Sequence, residues 1–382
     1  MQKKLLSMAI AGALALPGAA VAELKNVDIY GKFHASWDFV DNESVGDDFD
    51  DNTGVFRNSR LGFKGSEKLS DGVKAIWQIE TGLHTHGNDK LAMRNTYIGL
   101  DNDTWGTIVY GKHDSPYKTA TAKLDIFSDT IADYNNIIGA HITGSATGTF
   151  SSNFNERIPQ LVMYTTPTYG GFKARVARES WQQDENQTTT GNEDTEGWSA
   201  MGVYDKGPFF ASLAYELFKG DGNRGALAKK DVDAWKLGLG YKLGNSKISV
   251  VYEDIDRDGS DAADKTATRD AFSVSLAHDI GSNTIKLAYA KANDSDASAS
   301  DDGAQNWSFG VDHNFSKRTK IYAIYTRMDN DSNANYGLYG GQMKAETGRA
   351  TPSYYTGGTS ATSASVTGKD IDAMSFGIIH KF

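Results

Sequence analysis

Few residues of this 382-residue chain are spaced for covalent chemistry. His84-Thr85-His86 brings two imidazoles within two residues of each other, but no third ligand is placed beside them, and a zinc site needs at least three. His113-Asp114-Ser115 holds the residue types of a hydrolytic triad, yet adjacent side chains cannot form the relay and no nucleophile-elbow motif is present. Asp256-Arg257-Asp258-Gly259 starts like a calcium loop and lacks its ligand spacing and closing glutamate. There is no phosphate loop or dinucleotide fingerprint. A formal charge of −10 argues against nucleic-acid binding, and the absence of cysteine removes thiol catalysis and thiolate metal sites. Neither a cofactor nor an enzymatic activity is expected. What remains is electrostatic chemistry. Lys32, Arg60, Arg94 and Arg157 supply cations, and Asp125, Asp129 and Asp133 supply acids four residues apart, which one helical turn would put on a single face. Fixed charges facing each other across water orient dipolar solutes and penalise apolar ones.

These charges sit in segments that alternate apolar and polar residues, the period of a strand with two unlike faces. Ile29, Phe33, Ala35, Trp37 and Phe39 share one face, and Lys32, His34, Ser36 and Asp38 the other. Trp235, Leu237, Leu239, Tyr241 and Leu243 oppose Lys236, Gly238, Gly240 and Lys242. Met374, Phe376, Ile378, His380 and Phe382 form a last apolar face. The charges and glycines of the polar face suit a wet lumen, and the aromatic residues that end the apolar face suit membrane girdles. About sixteen such segments are read from 27–40 to 372–382. Their links alternate between short turns, such as Ser70-Asp71-Gly72 and Gly281-Ser282-Asn283, and long links at 41–54, 84–91, 113–156, 182–197, 219–232, 256–269, 292–305 and 329–371. Short turns on one side and long loops on the other are the architecture of an all-β transmembrane antiparallel barrel. An even strand number puts both ends of the barrel on the periplasmic side.

The N-terminus reads as a signal peptide over residues 1–22: Lys3 and Lys4, an apolar run from Leu5 to Leu16, then Ala20-Val21-Ala22. Cleavage there would leave a barrel over residues 23–382 and take the charge from −10 to about −12, two lysines being lost. No stretch of the remainder approaches the roughly 20 apolar residues of a membrane helix.

Tyr30-Gly31-Lys32, Arg60-Leu61-Gly62-Phe63-Lys64-Gly65, Arg94 to Leu100 and Tyr110-Gly111-Lys112 occur in this order, with Phe382 at the end. Together they make the chain resemble the Gram-negative general-diffusion porins over essentially its whole mature length. The resemblance implies a homotrimer of sixteen-stranded barrels in the outer membrane, surrounded by lipid and lipopolysaccharide. It implies passive transit of small polar solutes and ions, and a third loop, here 113–156, folded into the lumen. It also implies that Lys32, Arg60, Arg94 and Arg157 form a basic cluster at the narrowest point. Parity supports the first three: Lys32 is on the polar face, Arg60 opposes Leu61 and Phe63, and Arg94 points inward if Asn95 and Tyr97 face out. Arg157 opens an irregular strand just before Pro159, and Arg57, with the parity of Leu61, is placed above the membrane. Leu124, Ile126, Phe127, Ile131, Tyr134, Ile137 and Ile138 can seat the loop on the inner wall. Acidic outer loops, with Asp47, Asp48, Asp50 and Asp51 among them, draw cations to the mouth while the arginines favour anions, so mouth and eyelet pull in opposite directions and the balance, leaning to cations, stays open. The other readings are a substrate-specific porin for an anion, or for an oligosaccharide along Tyr117, Phe127 and Tyr134, an outer-membrane enzyme, and an adhesive barrel.

Overall fold

The computed structural model describes residues 26–42, 51–83, 92–139, 154–181, 195–219, 231–258, 268–296, 300–334, 336–338 and 368–382. Residues 1–22, read from sequence as a signal peptide, together with His84-Thr85-His86, Asp47, Asp48, Asp50 and part of the third loop, lie outside them.

Eighteen β segments form one sheet: β1 Val27–Asn42, β2 Asp51–Phe56, β3 Arg60–Lys68, β4 Val73–Gly82, β5 Ala92–Met93, β6 Thr96–Asn102, β7 Gly106–Asp114, β8 Arg157–Thr165, β9 Phe172–Trp181, β10 Thr195–Lys206, β11 Phe209–Phe218, β12 Val232–Leu243, β13 Ser246–Arg257, β14 Arg269–Ile280, β15 Asn283–Ala292, β16 Ala304–Asn314, β17 Thr319–Asn330 and β18 Ile371–Lys381. β2 and β3 pair in succession with β1, and β5 and β6 in succession with β4, so the eighteen segments make sixteen staves. Neighbours are antiparallel, and β1 pairs with β18 from Lys32↔Lys381 to Asn42↔Ile371, closing the ring. Two backbone bonds extend the seam, from Gly31 N to Phe382 O at 3.0 Å and from Phe382 N to Gly31 O at 3.1 Å. Closure leaves no strand edge unpaired in lipid, the condition for spanning a membrane with strands. Among the described residues no helix is long and apolar enough to cross one.

The two faces follow the sequence period. Trp37, Leu213, Leu239, Phe309 and Phe376 point outward and are 46–56% exposed, while their neighbours Asp38, Ser212, Gly238, Ser308 and Ser375 are buried on the inner side. An apolar band of this extent has lipid as its solvent. Connections of two to six residues join strands at one end, such as 207–208, 244–245 and 281–282, and the longer links gather at the other.

Three ladders depart from regular pairing, one between β7 and β8 at Lys112 and two that split a stave. Ala35 opposes Phe56 and Lys32 opposes Arg60, so Arg57, Asn58 and Ser59 face only Phe33 and His34. The additional residue is a bulge, with Asn58 at φ +44°, and it reverses parity between β2 and β3. Arg57 is therefore not above the membrane. It is fully buried on the inner face, ion-paired with Asp38, and its Nε donates to Ser36 Oγ at 3.0 Å. The same slip occurs at Arg94 and Asn95, between Thr81↔Met93 and Gln78↔Tyr97. Tyr97 consequently faces inward, against the assumed parity, and Arg94 reaches the lumen because of the bulge.

Candidate constriction site

The third loop leaves β7 through α1, Pro116–Thr121, which Ser115 caps by accepting from Lys118 N at 3.1 Å. A 3₁₀ turn, Ala122–Leu124, follows, and a second spans Tyr134–Asn136. The acids are not on one helical face, because 125–133 is a chain of turns. Asp125 folds the loop by accepting from Phe127 N at 2.8 Å and Tyr134 N at 3.4 Å. Asp133 caps the second turn, accepting from Asn135 N at 2.9 Å and from Asp129 N at 2.7 Å. Only Asp129, at φ +64°, turns toward the basic wall. Burial, then the neighbouring Asp133 charge, pushes the Asp125 carboxyl well up, and burial, then Asp129, pushes Asp133 up to about 6. Burial acts on Asp129 too, but the Lys32 and Arg60 charges and the hydrogen bonds from Lys32 and Asn58 outweigh it and hold its carboxyl below the usual range.

The loop is seated on the opposite wall. Leu124, Phe127, Ile131, Ile137 and Ile138 are buried among Phe210, Val251, Tyr322 and Ile324. Room for them comes from small inner-face residues. A Cβ on Gly238 would lie 2.7 Å from Leu124 and Thr121, and one on Gly310 2.7 Å from Phe127. These glycines, read from sequence as wet lumen, are dry contacts. Glu253 is the polar anchor: Oε2 accepts from Tyr117 OH at 2.9 Å and Oε1 from Gly139 N at 2.6 Å. Arg269 Nη2 donates to Ile137 O at 2.9 Å, and Lys236 Nζ donates to Asn155 Oδ1 at 2.7 Å. Buried charge-assisted bonds of this kind contribute about 1.5–3 kcal/mol each. With Tyr117 and Phe127 packed against the wall, they offer no aromatic track to a passing sugar.

On the basic wall, Glu80 of β4 gathers the partners. Its Oε1 accepts from Arg94 Nε at 2.7 Å, its Oε2 accepts from Tyr30 OH at 3.0 Å, and Arg60 Nε lies 4.0 Å away. Lys32 pairs directly with Asp129. Asn58 joins loop to wall, donating to Asp129 Oδ1 at 2.6 Å and accepting from Arg94 Nη1 at 3.2 Å. Arg157 stands beside this group: its Nη2 is 3.1 Å from Asp114 Oδ1 and its Nε donates to Asn95 Oδ1 at 2.7 Å, while Lys118 holds the same Asp114 at 2.9 Å. The structure therefore brings Lys32, Arg60, Arg94 and Asp129 together, sets Arg157 alongside, and turns Asp125 and Asp133 to the loop's own folding. Glu80 and Asn58 escaped the sequence reading. Glu80 carried a signal, being an acid on the polar face of the strand next to Arg60, whereas Asn58 sits in a bulge where no period applies. His113 Nδ1 bonds the Asp114 carbonyl oxygen at 2.8 Å and Ser115 caps a helix, so the three form no relay. Among the described residues no His, Asp and Glu cluster is arranged to hold a metal.

A closed barrel of sixteen staves, apolar outside and narrowed inside by a folded loop facing arginines, defines an outer-membrane β-barrel protein. The chain belongs to the Gram-negative porin family, whose model matches residues 7–333. It is 30% identical over 192 residues to an outer membrane porin of Bordetella pertussis, covering 45% of this chain and 46% of that relative. It is 29% identical over 216 residues to outer membrane porin protein 32 of Delftia acidovorans, covering 54% and 57%. The chain thus spans about half the length of the curated relatives it matches. Among solved structures, the anion-selective porin from Comamonas acidovorans superposes with a TM-score of 0.72 at 22% identity, over 93% of this chain and 99% of that one. The trimer form of OmpT from Vibrio cholerae superposes with a TM-score of 0.61 at 15% identity, over 93% and 99%. The fold is shared with both, and the protein is a multi-pass β-barrel of the outer membrane.

Proposed function

We propose that this protein is a passive, water-filled channel for small hydrophilic solutes and ions, that it works as a homotrimer, and that it carries out no enzymatic step. The observation that supports this reading best is the unequal charge at the narrow point. Among the described residues, the ion pairs at this point join Lys32, Arg60, Arg94, Lys118 and Arg157 to Asp129, Glu80 and Asp114. Five cations against three carboxylates leave a positive eyelet. Anions are therefore favoured in transit, against the lean toward cations that the loop acids suggest. Arg60 is the most exposed arginine of the group, with 28% of its side chain open to water, and Glu80 keeps it beside Arg94. Arginine suits this position because its charge is permanent and its planar fork stays oriented. The likeness to an anion-selective porin of the same fold agrees with this, and an anion-specific channel is the second reading. Planar-bilayer recording under a potassium chloride gradient tests the proposal. A reversal potential of the sign set by chloride is expected, whereas a potassium-set sign, or no channels, overturns it. Arg60→Ala with Arg94→Ala must change both conductance and selectivity.

A further inference from the structure

The lower rim of the outer face carries a repeat that channel function does not use. On successive pairs of staves, the residue that opens an ascending strand lies directly across from an outward-facing residue near the foot of a descending one. At two such rungs the pair is aromatic: Phe172 with Tyr204, ring centroids 4.6 Å apart, and Phe209 with Tyr241, 4.8 Å apart. At the next three the pair becomes Ser246·His278, Asn283·His313 and Thr319·His380. Each imidazole is held the same way. Nδ1 of His278 is 2.8 Å from Ser246 Oγ, that of His313 is 2.8 Å from Asn283 Oδ1, and that of His380 is 2.9 Å from Thr319 Oγ1.

The rings follow exposed apolar residues down the same face: Val274 and Leu276, Trp307 and Phe309, Phe376 and Ile378. They stand where the apolar band gives way to the short turns, which is the level of lipid headgroups in the periplasmic leaflet. With Nδ1 occupied by the neighbouring strand, Nε2 is the nitrogen left to point outward, and the imidazolium form donates from both nitrogens. Lys317 and Arg318, exposed in the turn between β16 and β17, flank His313 and His380. The nearby carboxylates are on the lumen side. Asp312 is bound by Lys286 at 2.8 Å and Lys320 at 2.6 Å, and Asp279 takes a hydrogen bond from Thr284 Oγ1 at 2.6 Å. The outer side of this arc thus presents donors and cations next to an acyl-chain surface.

We propose that His278, His313 and His380, with Lys317 and Arg318, form an annular site on β13–β18 for the phosphate groups of anionic phospholipids in the periplasmic leaflet. The aromatic rungs on β9–β12 offer ring edges to any lipid, whereas the histidine rungs select a headgroup by charge. A polybasic surface of this kind attracts anionic lipid by about 1 kcal/mol per cation, roughly a fivefold enrichment.

The full-length protein is reconstituted in phosphatidylcholine vesicles with spin-labelled phosphatidylglycerol or spin-labelled phosphatidylcholine, in mildly acidic buffer, and the motionally restricted fraction of each label is compared. Wild type is expected to hold the glycerol lipid at least about threefold over the choline lipid. The triple variant His278→Tyr, His313→Tyr, His380→Tyr copies the Phe209·Tyr241 rung, and folding is checked by its heat-modifiable mobility. It is expected to fall to near parity, and Lys317→Gln with Arg318→Gln is expected to lose part of the preference. The proposal is overturned if wild type shows no preference or if the tyrosine variant keeps it. It is also overturned if inorganic phosphate removes the preference, which would mark a free-anion site. Loss of subunit cross-linking in the tyrosine variant with lipid preference unchanged would instead make the arc a contact between copies.

Discussion

From β9 round to β18 every ladder keeps its register, whereas between β1 and β8 three ladders slip, at Arg57–Ser59, at Arg94–Asn95 and at Lys112. The slips carry the eyelet. Asn58, Arg94, Asn95 and Arg157 lie in or beside them, and each aims a polar group that strict alternation would have turned elsewhere. The regular part bears instead on the back of the third loop, through Phe210, Val251, Glu253 and Arg269. A flat, small-residue surface is a good seat because it offers nothing to clash with. An irregular one is a good reading head because bulges re-aim side chains and add twist.

Removing Asn58 attacks this contrast most directly, since it restores the ladder between β1 and its neighbour. Arg57 then lies opposite His34, still on the inner face, but the turn that aims it at Asp38 is lost, and Asp129 and Arg94 lose their common partner. The expected outcome is a clear fall in the temperature at which the barrel's gel mobility changes, together with altered selectivity; an unchanged transition would mean that the bulge is dispensable. On the regular side, Glu253→Ala strands Tyr117, Gly139 and Arg269. Breaking a buried charged anchor costs about 3–5 kcal/mol, so the loop should leave the wall and single-channel conductance should rise. Steady conductance would show that apolar packing alone holds it.

Arg60→Ala is a smaller change. A unit charge acting at 4 Å through water is worth about 1 kcal/mol, about fivefold in ion partitioning, so chloride preference measured from reversal potentials should drop by that order. The least effect is expected from pH. Asp133 rises from an ordinary 3.8 to about 6 in the docked loop. The docked form therefore favours the protonated carboxyl, and its stability declines as pH climbs from about 4 through about 6. Asp129 runs the other way: its held-down carboxyl stabilises docking above the ordinary value and loses that contribution in stronger acid. Channel noise should grow across the first window in wild type, and Asp133→Asn should flatten that part of the profile.

The strands and their lipid face were legible because Trp235 to Leu243 alternates without exception and Trp307 to Phe315 does so but for His313, and a period of two leaves nowhere else to put the apolar set. The parity method failed where its premise failed. One additional residue at Arg57–Ser59 inverted the face assigned to Arg57, and another at Arg94–Asn95 turned Tyr97 inward, although Arg94 itself stayed in the lumen. Acids spaced four apart suggested a helical face, but Asp125 and Asp133 spend their oxygens on nearby backbone amides, and such turns have no period to read. Gly238 and Gly310 marked an inner surface without saying whether water or a loop would touch it.

The pairing of Gly31 with Phe382 extends the seam between the first and last described strands. Until that zipper engages, β1 and β18 are both bare edges, and no amount of early hairpin formation can cover them. Closure therefore waits on the contact of widest sequence separation in the sheet, which makes for slow folding and a long exposure to misassociation. Whatever escorts the chain across the periplasm has to guard both ribbons at once, and substitutions at the seam should show up first as failed biogenesis, before any change in what passes through the finished pore.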